Sequence, residues 1–252
     1  MRCVVDRKCA AHRKAYFIYD KWRAVTGMTR IIDLSVPLTP DLEVPSYKGI
    51  KLFNWETPYA NWEKDGYVST KFTAWSHVGT HADSPHHFIK SARTIDQLPL
   101  EVFVGDTILL DLTAERIDGS ISASDLDKAF KRVESKGIKH QPGWKILIRT
   151  DHIKVWPHTD YWTKGPFLSK EAAEWLVSKK PSCLGYDFFQ DIKGPKGKGY
   201  PLHTVILGAG ICQLEYLRNL DQITKDQFLL VALPLKIVGA EAALARVIAV
   251  EG

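Results

Sequence analysis

The sequence predicts an α/β domain, and three observations carry that expectation. Strand-like apolar runs at residues 106–112, 144–149 and 183–188 alternate with two amphipathic helical stretches. The segments before and after them are strand-rich, so a simple doubly wound sheet is not expected. The chain has 252 residues, 45% hydrophobic and 25% charged, which suits one generous core.

Taken in order, Ile31, Ile32, Leu34 and Val36 mark a first strand stopped by Pro37 and Pro40. Residues 41–65 hold Pro, Gly and the aromatics Tyr47, Phe53, Trp55, Tyr59 and Trp62 without a steady period, and read as loop. Those rings either fill a core or wall a pocket for an aromatic substrate. Residues 68–77 alternate as a strand, with Val68, Phe72 and Ala74 on one face and Lys71, Thr73 and His77 on the other. The run 106–112 reads as a buried strand. A helix follows, with Ser124 as its cap, Asp125 and Asp127 in its first turn, and the stripe Leu126, Ala129, Phe130, Val133 before Gly137. After the strand 144–149, Ser169 opens a second helix that turns Ala172, Ala173, Leu176 and Val177 to a core. Residues 183–188 return as strand, Gly194 to Gly199 form a solvated basic connection, and 228–234 and 244–250 are closing strands. Gly208-Ala209-Gly210 is too short a pattern for a dinucleotide site, and no repeat is present.

The net charge of +5 is carried by the first residues: Arg2, Arg7, Lys8, Arg13, Lys14, Lys21 and Arg23 against Asp6 and Asp20. The body is therefore neutral, which argues against nucleic acid as a partner. Residues 1–28 read as a basic extension or an upstream start before Met28, and 29–252 as one domain. No apolar run reaches the ~20 residues that span a bilayer, and no signal-peptide segment opens the chain. The expected address is cytoplasmic, without membrane contact. Cys3, Cys9, Cys183 and Cys212 show no Cys-x2-Cys pair, which suits a reducing compartment, and Cys3, Cys9 and His12 read as incidental.

The chemistry concentrates at Ser76-His77-Val78-Gly79-Thr80-His81-Ala82-Asp83-Ser84-Pro85-His86-His87-Phe88. Four of the chain's nine histidines and one carboxylate fall there, a side-chain set for a divalent metal of intermediate softness. In a straight strand His77 and His81 would stand roughly 13 Å apart, too far for bonds of about 2.0–2.2 Å to one ion. The chain is therefore expected to fold back near Gly79, which tolerates the required backbone angles. Pro85 disfavours helix for Ser84, so the donors should come from a strand end and its loop. The competing reading is a histidine-rich surface loop without metal.

The pattern His-x-Gly-Thr-His-x-Asp-x-Pro-x-His from His77 to His87 resembles the signature of the cyclase and kynurenine formamidase family of metal-dependent hydrolases. A second element is similar too: His203, then Gly210-Ile211-Cys212-Gln213-Leu214-Glu215, twelve residues from histidine to glutamate. The resemblance runs from about Ile31 to Val250 and takes in Asp33-Leu34-Ser35 and Leu184-Gly185-Tyr186-Asp187. It implies a swivelling β/β/α fold with a partly open barrel. It also implies two divalent ions, Zn or Mn, with His77, His81 and Asp83 on one, Asp83 bridging, and His203 and Glu215 completing the pair. His87 is then the acid–base residue, while His86 falls on no fixed motif position.

The implied reaction is hydrolysis of an amide by metal-bound hydroxide, with an arylformamide such as N-formylkynurenine as substrate, a step of tryptophan catabolism. Near the substrate, kynurenine formamidases carry a tryptophan followed by Pro-Gly-Asp. This chain has Val44-Pro45-Ser46-Tyr47-Lys48-Gly49, with Tyr47 at the wall position. That departure leaves room for a cyclic, isatin-like amide or a lactone. A metal-binding protein without catalysis is the alternative from another class. The resemblance also makes a homodimer or higher assembly plausible.

Overall fold

Alternation along two central strands divides the interior into two cores. The computed structural model describes residues 30–40, 42, 51–55, 60–115, 117, 119–189 and 201–252. Tyr47, Tyr59, residues 1–28 with Cys3, Cys9 and His12, and the basic connection at 194–199 lie outside them.

The strands are β1 (Arg30–Asp33), β2 (Phe53–Trp55), β3 (Phe72–Ala74), β4 (His81–Asp83), β5 (Val104–Asp111), β6 (Ser120–Ile121), β7 (Lys145–Arg149), β8 (Phe167–Leu168), β9 (Cys183–Tyr186), β10 (Cys212–Glu215), β11 (Gln227–Val231), β12 (Ala242–Leu244) and β13 (Ile248–Glu251). The helices are α1 (Trp62–Asp65), α2 (Ala123–Ser135), α3 (Asp160–Thr163), α4 (Lys170–Ser178) and α5 (Pro201–Gly208). Among the described residues nine strands form one mixed sheet in the order β1-β13-β11-β5-β7-β9-β10-β4-β12. Strands β5, β7, β9 and β10 run parallel, and the remaining pairs are antiparallel.

Connectivity forces this sheet to curl. Strands β13 and β12 are separated by seven interstrand spacings, roughly 34 Å if flat. The chain nevertheless passes from Leu244 to Ile248 in four Cα steps, at most roughly 14 Å. The result is the partly open barrel of an α/β fold, as expected. The joint is fixed by Leu34 N–H donating to Val247 O (2.9 Å), Val247 N–H to Ser35 Oγ (2.8 Å), and a two-point Arg246–Asp33 ion pair.

Because successive side chains alternate, Ile108 and Leu110 of β5 and Ile146 and Ile148 of β7 face the helices, whereas Leu109 and Leu147 face the inside of the curl. The outer core is completed by Leu126, Ala129, Phe130 and Val133 of α2 and by Ala172, Ala173 and Leu176 of α4. The inner core takes Ile32, Phe228, Leu230 and Ala249. Each large aliphatic buried in these cores contributes about 1.5–3 kcal/mol. At Gly185 the strands approach so closely that a Cβ would stand 2.6 Å from Leu147 Cδ2 and 2.7 Å from Leu217 Cδ1.

Four expectations shift, the first being that the loop expected over 41–65 contains β2 and α1. The cap of α2 is Ser122, not Ser124: its hydroxyl accepts from Asp125 N–H while Asp125 Oδ2 accepts from Ser122 N–H, a reciprocal cap that starts the helix earlier. The strand expected over 68–77 is regular only at Phe72–Ala74, where it pairs with the short β2 in a separate two-stranded sheet. Its alternation faces solvent on both sides, with Val68 and Phe72 each about half exposed. The expected closing strand 244–250 divides at Ala245–Val247, where the chain leaves β12 for β13.

Candidate metal centre and pocket

Every donor of this site is placed by a backbone feature. Gly79 adopts φ +61° between β3 and β4 and folds His77 back over the start of β4. His81 and Asp83 are two apart on β4 and project to one face. Strand β10 pairs antiparallel with β4, Glu215 opposite His81 and Gln213 opposite Asp83, which brings Glu215 alongside. His87 ends the 3-10 turn Pro85–His87, and His203 is presented by α5.

The donors form a tight set. His77 Nδ1 lies 3.0 Å from Asp83 Oδ1 and 3.1 Å from His81 Nε2, which is 3.2 Å from Asp83 Oδ1. Such a triangle matches neighbouring donors around one ion with bonds of about 2.1 Å. His203 Nε2 lies 3.2 Å from Glu215 Oε1 and 3.9 Å from Asp83 Oδ2. Donor atoms of His77, Asp83 and His87 lie within 4.8 Å of one another, as do those of Asp83, His203 and Glu215, so Asp83 belongs to both groups. His86 stands outside both groups.

Tautomers and charge show what the cluster lacks. His81 Nδ1 faces Gly79 O at 2.8 Å and must donate to that carbonyl, so its Nε2 presents a lone pair to the cluster. Burial works against ionisation of Asp83, but the adjacent His77 and His81 outweigh it and hold the carboxyl well below its ordinary range. Burial likewise opposes a charge on His77, yet Asp83, Glu215 and Glu241 raise it to about 9. Asp83 Oδ1 and Oδ2 and Glu215 Oε1 are buried without a well-oriented hydrogen-bond donor among the described residues. Buried acceptors left so are costly, and a divalent cation satisfies several at once. Three imidazoles and two carboxylates therefore fit a divalent metal of the zinc or manganese type. Burial, opposed by Asp83 and reinforced by His77 and His203, pulls His87 down to about 4, so its ring is neutral at neutral pH.

The cluster forms one wall of a cavity of about 350 Å³, whose other walls are Leu52, Trp75, Phe88, Trp162, Phe189 and Tyr216. Tyr216 follows Glu215 with φ +57°, a left-handed conformation costing roughly 1–3 kcal/mol for a bulky residue. Its carbonyl accepts from Thr80 Oγ1 (2.8 Å), which itself accepts from Val36 N–H (2.9 Å). Its phenol oxygen accepts from Trp162 Nε1–H (3.3 Å). Just after β9, the buried Asp187 accepts from Thr150 N–H, Thr150 Oγ1 and Asp151 N–H at 2.7–2.8 Å. Burial pushes that carboxyl up to about 7 against these three donors.

The structure thus brings together His77, His81, Asp83, His87, His203 and Glu215. Sequence reading missed Glu241, which reaches His77 from the residue before β12, and the pocket residues Phe88, Trp162, Phe189 and Tyr216. None of these carries a spacing signal, although a tyrosine directly after a candidate ligand was visible.

Comparison with known proteins places the chain in a family. Residues 32–190 match the Cyclase family model, described as "Putative cyclase". A kynurenine formamidase from Erythrobacter litoralis is 28% identical over 219 residues, covering 87% of this chain and 93% of the relative. The solved isatin hydrolase A from Labrenzia aggregata, bound to benzyl benzoate, superposes with a TM-score of 0.75 at 26% identity, covering 93% of this chain and 98% of that one. A structure from Bacillus stearothermophilus, described as a predicted metal-dependent hydrolase, gives 0.69 at 26% identity over 88% and 98%.

Proposed function

The chain belongs to the Cyclase family, and from that premise we propose that this metal-dependent hydrolase of non-peptide C–N bonds cleaves an aryl amide, an arylformamide such as N-formylkynurenine first. The observation that carries this reading is the convergence of the buried, electron-rich donors on one end of an aromatic-walled cavity. Two divalent cations, zinc or manganese, would be held by His77, His81 and Asp83, and by Asp83, His203 and Glu215. Cations held there supply Lewis acidity, lowering the pKa of water and polarising the substrate carbonyl.

The chain's own residues do the rest. Phe88, Trp75 and Trp162 hold a flat aryl group and exclude water. The neutral His87 imidazole accepts a proton from the attacking water and returns it to the leaving nitrogen; its depressed pKa keeps the ring unprotonated and able to accept at neutral pH. Tyr47 is proposed as a further wall. A second reading, opening of a cyclic isatin-like amide, is favoured by the likeness to isatin hydrolase A and by that neighbour's aromatic ligand. Side-by-side turnover of N-formylkynurenine and isatin by metal-loaded protein tests the choice; hydrolysis of neither, with metal bound, would reject both.

The described residues include no helix long and apolar enough to cross a membrane. We also propose a cytoplasmic homodimer. The exposed aromatics Trp55, Trp62, Tyr67 and Phe72 beside β2 and β3 support that assembly, and light scattering showing only monomer would reject it.

A further inference from the structure

Glu241 lines the same cavity as the cluster but belongs to neither of its donor groups. Its Oε1 accepts from Ser76 Oγ at 2.6 Å and lies 3.2 Å from His77 Nε2. Its backbone is equally fixed: its carbonyl accepts from Ser84 N–H (2.9 Å) and Ser84 Oγ (2.7 Å), and the next residue, Ala242, registers opposite Asp83. The residue is thus tied at its backbone beside one candidate ligand and at its side chain to another. A carboxylate has no proton to give at neutral pH, so the contact with His77 must be donated by Nε2–H. With a metal in place of the second proton that metal-free His77 holds at neutral pH, only one nitrogen carries hydrogen, and Nε2–H on Glu241 leaves the Nδ1 lone pair as the one directed at Asp83 and His81.

We infer that Glu241 is a positioning residue for the metal centre: with Ser76 it fixes the ring orientation and tautomer of His77 so that Nδ1 is the ligand atom. His81 is set in the same way by the Gly79 carbonyl, but with the opposite nitrogen facing inward. The two neighbouring histidines thus have opposed tautomers, one set by backbone and one by a side chain that substitution can remove. Acceptors of this kind raise the basicity of the ligand and restrict its rotation.

The inference rests on His77 being a ligand and requires no particular substrate. The test uses Glu241→Ala and Glu241→Gln in the full chain, with zinc and manganese dissociation constants measured by chelator competition. Imidazole nitrogen–proton NMR of the zinc-loaded proteins reports the tautomers, and thermal melts check folding. Glu241→Ala should bind both metals about 10–100-fold more weakly and lose the Nε2–H signature of His77. Glu241→Gln keeps an acceptor oxygen and should retain most of the affinity and the signature. Unchanged affinity and tautomer in a folded Glu241→Ala protein would overturn the inference, whatever the turnover. Glu241-dependent metal binding in a protein that hydrolyses no amide would uphold it while rejecting the hydrolase reading.

Discussion

His77 Nδ1 sits 3.0 Å from Asp83 Oδ1 across the bend at Gly79, so two donors six residues apart in sequence converge on one point. The bend is the condition for that convergence. At φ +61°, a Cβ on Gly79 would be strained and would meet Leu38 Cδ2 at 2.5 Å. Gly79→Ala should therefore destabilise the protein by roughly 1–3 kcal/mol and weaken metal binding, read by denaturant unfolding and chelator competition. Wild-type affinity would show that the bend does not set the site.

The metal contribution to stability should depend on pH. In metal-free protein His77 titrates near 9, above its ordinary 6.5, so its stabilising protonation is complete below about 6.5 and lost as pH rises toward 9. His87, pulled down to about 4, contributes above 6.5 and loses that contribution as pH falls toward 4. A metal held by His77 would replace that proton. The rise in Tm on adding zinc or manganese should consequently be larger at alkaline than at mildly acidic pH. At a hundredfold excess over Kd the gain is about 2.7 kcal/mol. A pH-independent rise would contradict the assignment of His77.

Thr80 joins the first strand region to the ligand strand β10 through one hydroxyl. Thr80→Val keeps the shape but strands Val36 N–H and the Tyr216 carbonyl, both within a buried contact. The expected cost is roughly 2–4 kcal/mol, with a raised KM as Tyr216 relaxes from its left-handed conformation. Urea denaturation and steady-state kinetics check it.

His87 touches the cluster but is assigned to proton transfer. His87→Ala should lower kcat roughly 10²–10⁴-fold while metal content per chain stays unchanged. Loss of one metal equivalent instead would make His87 a ligand.

The sequence carried much of this site because four of its six residues, His77, His81, Asp83 and His87, lie within one eleven-residue stretch whose glycine and proline force a bend. The central strands and the core faces of α2 and α4 were legible for a related reason: Ile108, Leu126 and Leu176 belong to local periodic patterns. The curl of the sheet was not readable from periodicity, since it depends on β12 and β13 lying far apart in the sheet order though adjacent in sequence. Glu241 and Trp162 escaped notice because each approaches His77 or Tyr216 from 54 or more residues away, with no local spacing to mark it. The misplaced cap at Ser124 arose from two serines within one turn, decided only by the reciprocal bond to Asp125.

The most direct test is hydrolysis of N-formylkynurenine and of isatin by purified protein loaded with zinc or manganese, beside chelated protein and Asp83→Asn. The account predicts turnover of at least one of these amides, abolished by chelation, restored by added metal, and absent in Asp83→Asn. Turnover that persists in chelator, or no hydrolysis of either amide by fully metal-loaded protein, would contradict it.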